Sequence, residues 1–297
     1  MTKPQRSWVI DFSILALIWG ASFLFIAVAG RALPPVGVTF FRMAFGAAAL
    51  FVLIKLAKQR IPKARDAWLK TLGAGLLMSA FPFTLFAYAE LHIASGLAGM
   101  VNAATPVMTV LAIMIAFRDQ KPTRVQLIGL AVGILGTLVL LGVWQGFGEN
   151  DPLALGALIL ATVFYGFGGP YIRKVVSPLG LPNQVAVFMQ LIAASVATLP
   201  VYLFSGPLLT GTPDWASIGS IVTLGVVGTG IAYVFYYRII DAAGSTIASS
   251  VTIVQPVVAV ILGMLVLQET LHWYEGLGGI VIILGAMITQ GRVKFIR

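Results

Sequence analysis

Ala104-Thr105-Pro106-Val107-Met108-Thr109-Val110 and Val254-Gln255-Pro256-Val257-Val258-Ala259-Val260 align on their prolines at an offset of 150 residues. Outward from this pair, Ser95 falls on Ser245, Asp119 on Glu269 and Gly129 on Gly279. Trp19-Gly20 meets Tyr165-Gly166 at an offset of 146, and Leu33-Pro34 meets Leu181-Pro182 at 148. Drift of a few residues is what loop insertions produce. The chain therefore reads as one unit used twice, and a repeat of this length constrains the architecture before any single side chain does.

The unit is built for lipid. Of 297 residues, 59% are apolar and 10% charged, against about 25% charged in an average soluble domain, which excludes a water-soluble globule. Apolar runs fall near 8–29, 35–57, 67–89, 95–117, 124–144, 153–174, 182–204, 215–238, 246–268 and 273–290. A bilayer core about 30 Å thick takes about 20 residues per helix, so ten crossings use roughly 200 residues and leave only short loops. No separate aqueous domain fits, and most soluble enzyme classes drop out. Ala27-Val28-Ala29 mimics a leader-cleavage site, yet the run from Trp8 exceeds the roughly 7–15 residues of a leader's apolar core, so retention is expected. The expected fold is an all-α integral membrane protein of ten transmembrane helices. Residues 1–144 form one five-helix repeat, 145–152 an external (periplasmic) linker, and 153–297 the second repeat. Five is odd, so the second repeat enters from the opposite face, and such inverted repeats place a substrate site near the midplane and exchange conformations around it.

Loop charge orients this arrangement. On the ten-span reading, 17 Lys and Arg lie on the side of the termini, six of them between Lys55 and Lys70, and only Arg31 lies on the other. Bases favour the cytoplasmic side, so both termini are expected there. The net charge of +9 is spread over short loops and not gathered on one face, which argues against nucleic acid as a partner. The absence of Cys removes disulfides, thiolate metal sites and Cys nucleophiles. His92 and His272 lack partners at metal spacing, no nucleophile–base set is visible, and neither a cofactor nor catalysis is expected.

Two stripes and one cation are the candidate site. Ser95, Gly99, Asn102, Thr105, Pro106 and Thr109 recur at steps of three and four, one face of a helix. Ser245, Ser249, Thr252, Gln255, Pro256 and Ala259 repeat it. An interior Pro removes a backbone hydrogen bond and exposes a carbonyl, and paired interruptions point to a binding site. Small residues also let membrane helices approach closely, the competing reading of both stripes. Gly129, Gly133 and Gly136, answered by Gly276, Gly278, Gly279 and Gly285, read as packing seams. Aromatic residues crowd four spans, among them Trp19, Phe23, Phe83, Phe86, Tyr88, Tyr165, Tyr233 and Tyr237. They suit either a ring-lined cavity or an interfacial belt. Trp19 and Tyr165, related by the repeat, are favoured for the cavity. Arg42 sits eight residues beyond Pro34, about 12 Å into the membrane at 1.5 Å per residue. It requires a substrate carboxylate, a carbonyl, a structural partner or a local water defect. No Asp or Glu lies near the middle of a span, which argues for uniport or exchange without an obligatory proton or sodium ion.

These features resemble the drug/metabolite transporter superfamily, and within it the EamA-type carriers of two five-helix repeats. Tyr88 through Gly133 and Tyr237 through Gly285 carry the most specific likeness: a small-residue stretch, a mid-helix Pro, an acid at the next helix end and a Gly-spaced last helix. Glu269 is the family's usual acid, and Asp119 after Arg118 departs from it. Length and aromatic-rich spans also resemble the YddG-type aromatic amino acid exporters. The resemblance implies a multi-pass carrier of the bacterial inner membrane that exports small amphipathic metabolites, aromatic or other apolar amino acids foremost, by alternating access. A broad drug or metabolite exporter is the alternative. The small-molecule substrate and the lipid bilayer are the expected partners, and a monomer is the expected unit. The candidate substrate-binding residues are Trp19, Arg42, Tyr88, Ser95, Gly99, Asn102, Thr105, Pro106, Tyr165, Tyr237, Ser249, Thr252, Gln255 and Pro256.

With both termini cytoplasmic, a tag appended after Arg297 stays unlabelled by an impermeant reagent added to intact cells and becomes labelled on permeabilisation. Labelling before permeabilisation reverses the orientation.

Overall fold

The computed structural model describes residues 8–117, 122–145, 150–244, 247–248 and 250–292, and within them every regular element is helical. In chain order these are α1 (Trp8–Ala29), α2 (Pro35–Leu56), α3 (Arg65–Ala89), α4 (Ser95–Asn102), α5 (Thr105–Ile115) and α6 (Arg124–Leu140). The second half has α7 (Pro152–Leu179), α8 (Asn183–Phe204), α9 (Trp215–Ala243), α10 (Val251–Val266) and α11 (Trp273–Thr289). Six of these, α1, α2, α3, α7, α8 and α9, are long and apolar enough to cross a membrane, and α4 with α5 makes a seventh if the bent pair is one span. The expected count of ten exceeds this because α6, α10 and α11 hold 17, 16 and 17 residues. At 1.5 Å per residue the longest of these measures about 25 Å. Lys3, Arg6, Arg118, Asp119, Lys121, Glu149, Ser245, Ser249, Lys294 and Arg297 lie outside the described residues.

Local chemistry sets the boundaries. Pro34 and Pro35 open α2, with Pro35 at the first helical position, where its missing N–H costs nothing. Thr123 and Gln126 cap α6 reciprocally, and Asp214 accepts the Ser217 N–H at 2.7 Å to start α9. That N–H and the Ser217 hydroxyl hold the Asp214 carboxyl below its ordinary value. Pro106 ends α4 early, and α4 and α5 meet at 43°. Its repeat counterpart behaves differently: Pro256 is buried inside the uninterrupted α10, and the described turn before that helix is at Ser250. Among the described residues the first half is interrupted between Asn102 and Thr105, next to Pro106, and the second half at Ser250, ahead of the helix that holds Pro256.

A second interruption is paired. In α3 residues Leu76–Ala80, and in α9 residues Val226–Ile231, widen into π-helical turns, 150 positions apart. In α3 the cause is Pro82, which removes a donor from the ladder. In α9 Ala232 stands at the matching position, and the widened turn contains Gly228 and Gly230.

The packing is also duplicated. α1 packs on α9 and α10 as α7 packs on α3 and α5, and α2 packs on α9 as α8 packs on α3. The pairs α2–α8, α4–α10 and α6–α11 join matching helices of the two halves. In α6–α11 the contact is backbone against backbone: a Cβ at Gly285 would lie 2.6 Å from the Gly133 nitrogen and 2.7 Å from its Cα. Gly129 and Gly136 meet Thr289 and Ile282 just as closely, whereas Gly276 faces open space and takes no part.

Gly285→Ala forces α6 and α11 apart, at a cost of about 1–3 kcal/mol. Gly156→Ala, where nothing lies within 4 Å, is neutral or slightly stabilising. Thermal unfolding in detergent, followed by helical circular dichroism, separates the two; coincident melting shows that the seam does not set the helix spacing.

Candidate functional site

Between the two halves lies a cavity of about 170 Å³, walled by α1, α2, α3, α7, α9 and the stripes of α4, α5 and α10. Of the sequence candidates, Trp19, Arg42, Asn102, Thr105, Tyr165, Thr252 and Gln255 line it. Asn102 and Thr252, and Thr105 and Gln255, are repeat partners at the offset of 150, so each half supplies the same two positions. The Asn102 side-chain amide donates to Gln255 Oε1 at 3.1 Å and joins the halves directly. Thr105 Oγ1 donates to Asn102 Oδ1 at 3.4 Å.

The remaining candidates lie elsewhere. Gly99 is a packing position, its Cα side against Ala259 and Phe23. Ser95 is held by Glu269, which accepts the Ser95 N–H at 2.8 Å, the Gly96 N–H at 3.0 Å and the Ser95 hydroxyl at 3.1 Å. Tyr88 packs on His92 with ring centroids 5.0 Å apart. Tyr237 stacks behind Tyr233, one ring removed from the cavity. Pro106 and Pro256 shape their helices without lining the space. Ser249 is outside the described residues.

Arg42 is buried, and its position follows from the π-helical turn of α9. There the Thr229 hydroxyl bonds back to the Leu224 carbonyl, five residues earlier, at 3.1 Å. Its lone pair is left to accept Arg42 Nε at 3.1 Å. The guanidinium carbon lies 3.7 Å from the centre of the Phe83 ring. A hydrogen bond to a charged group contributes about 1.5–3 kcal/mol and a desolvated cation–π contact about 2 kcal/mol. Together they offset the several kcal/mol cost of burying the charge only in part. Among the described residues no carboxylate pairs with Arg42.

Repeat symmetry exposes a second copy of this contact. Gln190 stands 148 residues after Arg42, and Ser79 stands 150 before Thr229. Gln190 Nε2 donates to Ser79 Oγ at 3.2 Å, with Ser79 in the π-helical turn of α3. Sequence reading missed both hydroxyls, although the offsets that pair Leu33-Pro34 with Leu181-Pro182 would have found them. It also passed over Ser22, Ile26, Met78 and Gly228, which line the cavity too.

The walls are mostly rings. Trp19 packs on Tyr233 and Tyr236 at 6.2 and 5.4 Å. Phe86 bridges Phe23 at 5.8 Å and Tyr165 at 6.1 Å. One fixed cation, a few hydroxyls and amides, and aromatic walls suit a small solute that carries an anionic group on an apolar body. Among the described residues no group of acids and His can hold a metal ion.

Two acids correct the sequence reading. Glu90, one residue beyond the apolar run near 67–89, is 8% exposed, and neither carboxylate oxygen has a hydrogen-bond partner among the described residues. Asp11 is 5% exposed, with one oxygen likewise unpartnered. Both stand at helix ends and not near the middle of a span, Asp11 in the first turn of α1 and Glu90 directly after α3, yet both are buried.

Comparison with known proteins places the chain in context. The model of the EamA-like transporter family matches residues 6–142 and again 152–290. The uncharacterized inner membrane transporter YedA of Escherichia coli K12 is 26% identical over 283 residues, covering 95% of this chain and 90% of that protein. An uncharacterized transporter of Archaeoglobus fulgidus is 25% identical, with 96% and 98% covered. A Salmonella typhimurium protein named "Probable amino-acid metabolite efflux pump" is 26% identical, with 93% and 92% covered. One solved crystal structure superposes with a TM-score of 0.65 at 19% identity over 96% of each chain, a likeness of fold alone.

Cysteine placed at Asn102 or Thr252, in a chain with no native Cys, reacts with a small polar thiol reagent, while cysteine at Val257, on the exposed face of α10, does not. Inert cysteines at both 102 and 252 make the stripes packing seams.

Proposed function

The chain belongs to the EamA-like transporter family, and from that premise we propose that it exports small amphipathic metabolites, aromatic or other apolar amino acids foremost, by alternating access. Membership itself makes it a membrane transporter and not an enzyme, as its relatives are named. In this reading residues 1–144 and 153–297 are inverted five-helix halves with both termini in the cytoplasm. The carrier works as a monomer by uniport or exchange, and the three shorter apolar helices complete ten spans. The duplicated packing and the π-helical turns 150 residues apart support two equivalent halves.

The observation that carries the substrate class is Arg42. A buried guanidinium held from one side by Thr229 and from one face by Phe83, inside a ring-walled cavity, offers its remaining donors to a carboxylate. Trp19, Tyr165 and Tyr233 give the solute's apolar part edge and face contacts. Gln190 is neutral where Arg42 is charged, so the cavity has one cationic anchor for an anionic group. The relative named as an amino-acid metabolite efflux pump supports the same class. Broad drug export is the second reading, favoured by the small number of polar groups around an apolar space.

Counterflow of labelled aromatic amino acid into liposomes tests the proposal. Arg42→Gln is expected to weaken apparent affinity by about 10–100-fold, equivalent to the roughly 1.5–3 kcal/mol of a charged hydrogen bond, while transport of an uncharged analogue such as the amino alcohol is retained. Equal loss for both compounds, or no flux of either by the wild type, defeats the carboxylate anchor.

A further inference from the structure

Glu90 follows the last residue of α3, four and seven positions beyond Phe86 and Phe83, and so shares their helix face. Both Phe residues line the cavity. Phe86, packed between Phe23 and Tyr165, is about one helical turn before the acid. On the same side Glu269, in the connection between α10 and α11, holds the start of α4 through three hydrogen bonds. Two of these donors are N–H groups at the helix start, where a carboxylate is favourably placed. Glu90 has no such support: it is 8% exposed and both oxygens lack partners. An ionised carboxylate in that position costs several kcal/mol, whereas a neutral one does not.

Burial, and then the Glu269 charge, push the Glu90 carboxyl well above the ordinary carboxylate range, with Arg42 of α2 and then the backbone of Ala27 in α1 opposing them. His92 and Asp151, 3.9 Å apart and half-exposed, are further titratable groups on the flanking α3–α4 connection and α7 start.

We propose that Glu90 is a proton-binding site on the outward exit, occupied while Glu269 holds Ser95 and Gly96 and emptied when that contact parts. The proposal rests on the alternating-access reading above. Opening admits outer water, the O–H bond of the Glu90 acid breaks, its proton passes to that water, and the carboxylate remains hydrated. Glu90 then returns toward its ordinary value of about 4.3. The closed exit binds the proton more tightly than the open one, so its proton-linked stabilisation is complete below the open-state value. It is lost as pH rises through the raised closed-state value. Between the two, the closed-to-open ratio falls about tenfold per pH unit. Acid outside therefore shuts the exit, and alkali releases it.

Two readouts on the full chain in liposomes test this. Infrared difference spectra at pH 7 are expected to contain the C=O stretch of a protonated carboxylic acid that Glu90→Gln removes. A single cysteine at Ser22, which lines the cavity, is labelled from outside with an impermeant thiol reagent. Its rate relative to the same cysteine in the Glu90→Gln background rises with external pH, by up to tenfold per unit. Absence of the infrared band, its survival in Glu90→Gln, or identical pH courses in the two backgrounds overturns the proposal. If Glu90→Gln does not reconstitute, Glu269→Gln carries the test: loss of the neighbouring negative charge lowers the pH at which the band disappears, and an unmoved midpoint overturns the site. The infrared band needs no transport, so failed amino acid flux with the band intact counts against the transport reading alone.

Discussion

A backbone group released inside a bilayer has no water to bond, so every interruption of a helix in this bundle has to be repaired by a neighbour. The structure is organised around those repairs. Where the π-helical turns of α3 and α9 loosen the ladder, Ser79 and Thr229 meet side chains from α8 and α2. Gly75 and Gly225, one residue before each turn, leave room for the facing carbonyls of Gln190 and Arg42, which lie 2.5 and 3.0 Å from where a Cβ would stand. Where α4 begins, the repair comes from Glu269 in the opposite half. At these three places polar side chains meet the interrupted helix.

Duplication explains both the order of this arrangement and its one chemical asymmetry. Equivalent turns in equivalent helices produce two equivalent contacts, yet one uses Arg42 with Thr229 and the other Gln190 with Ser79. A symmetric pair of guanidiniums would bury two charges in the bundle at the cost of both desolvations. Replacing one by an amide keeps the helix-to-helix hydrogen bond and halves the charge. The stripes diverge in the same way, with Asn102 and Gln255 bonded across the halves where their repeat partners are Thr252 and Thr105. Halves so similar in backbone can trade conformations, while the differing side chains give the space between them a direction.

Much of this was legible in the chain before any coordinates. Composition and the offset of 150 implied an all-helical membrane bundle, and seven of the named candidates, including Trp19, Arg42 and Tyr165, line one cavity. What the residues hid is instructive. Thr229 and Ser79 occupy widened turns, and a change of helical register is a tertiary event that a 3.6-residue periodicity conceals. Glu90 follows the end of an apolar run, so hydropathy assigned it to water; its burial comes from helices distant in sequence. Pro106 and Pro256 look alike as letters, but the first stands in the opening turn of α5 and the second inside α10, because a membrane helix can absorb a proline when its surroundings satisfy the freed carbonyl. The short α6, α10 and α11 likewise fall below the length that their hydropathy suggested.

The glycine seam of α6 and α11 has a thermodynamic meaning. Lipid tails are as apolar as leucine, so association within the bilayer lacks the hydrophobic drive that assembles a soluble core. Elsewhere in the bundle, bringing helices together freezes long side chains, each losing up to about 2 kcal/mol of rotamer entropy. Between Gly133 and Gly285 there are no side-chain rotamers to freeze. The two backbones gain dispersion contacts at close range with almost no entropic opposition, which makes this the contact between the halves that depends least on temperature and on the identity of the surrounding lipid.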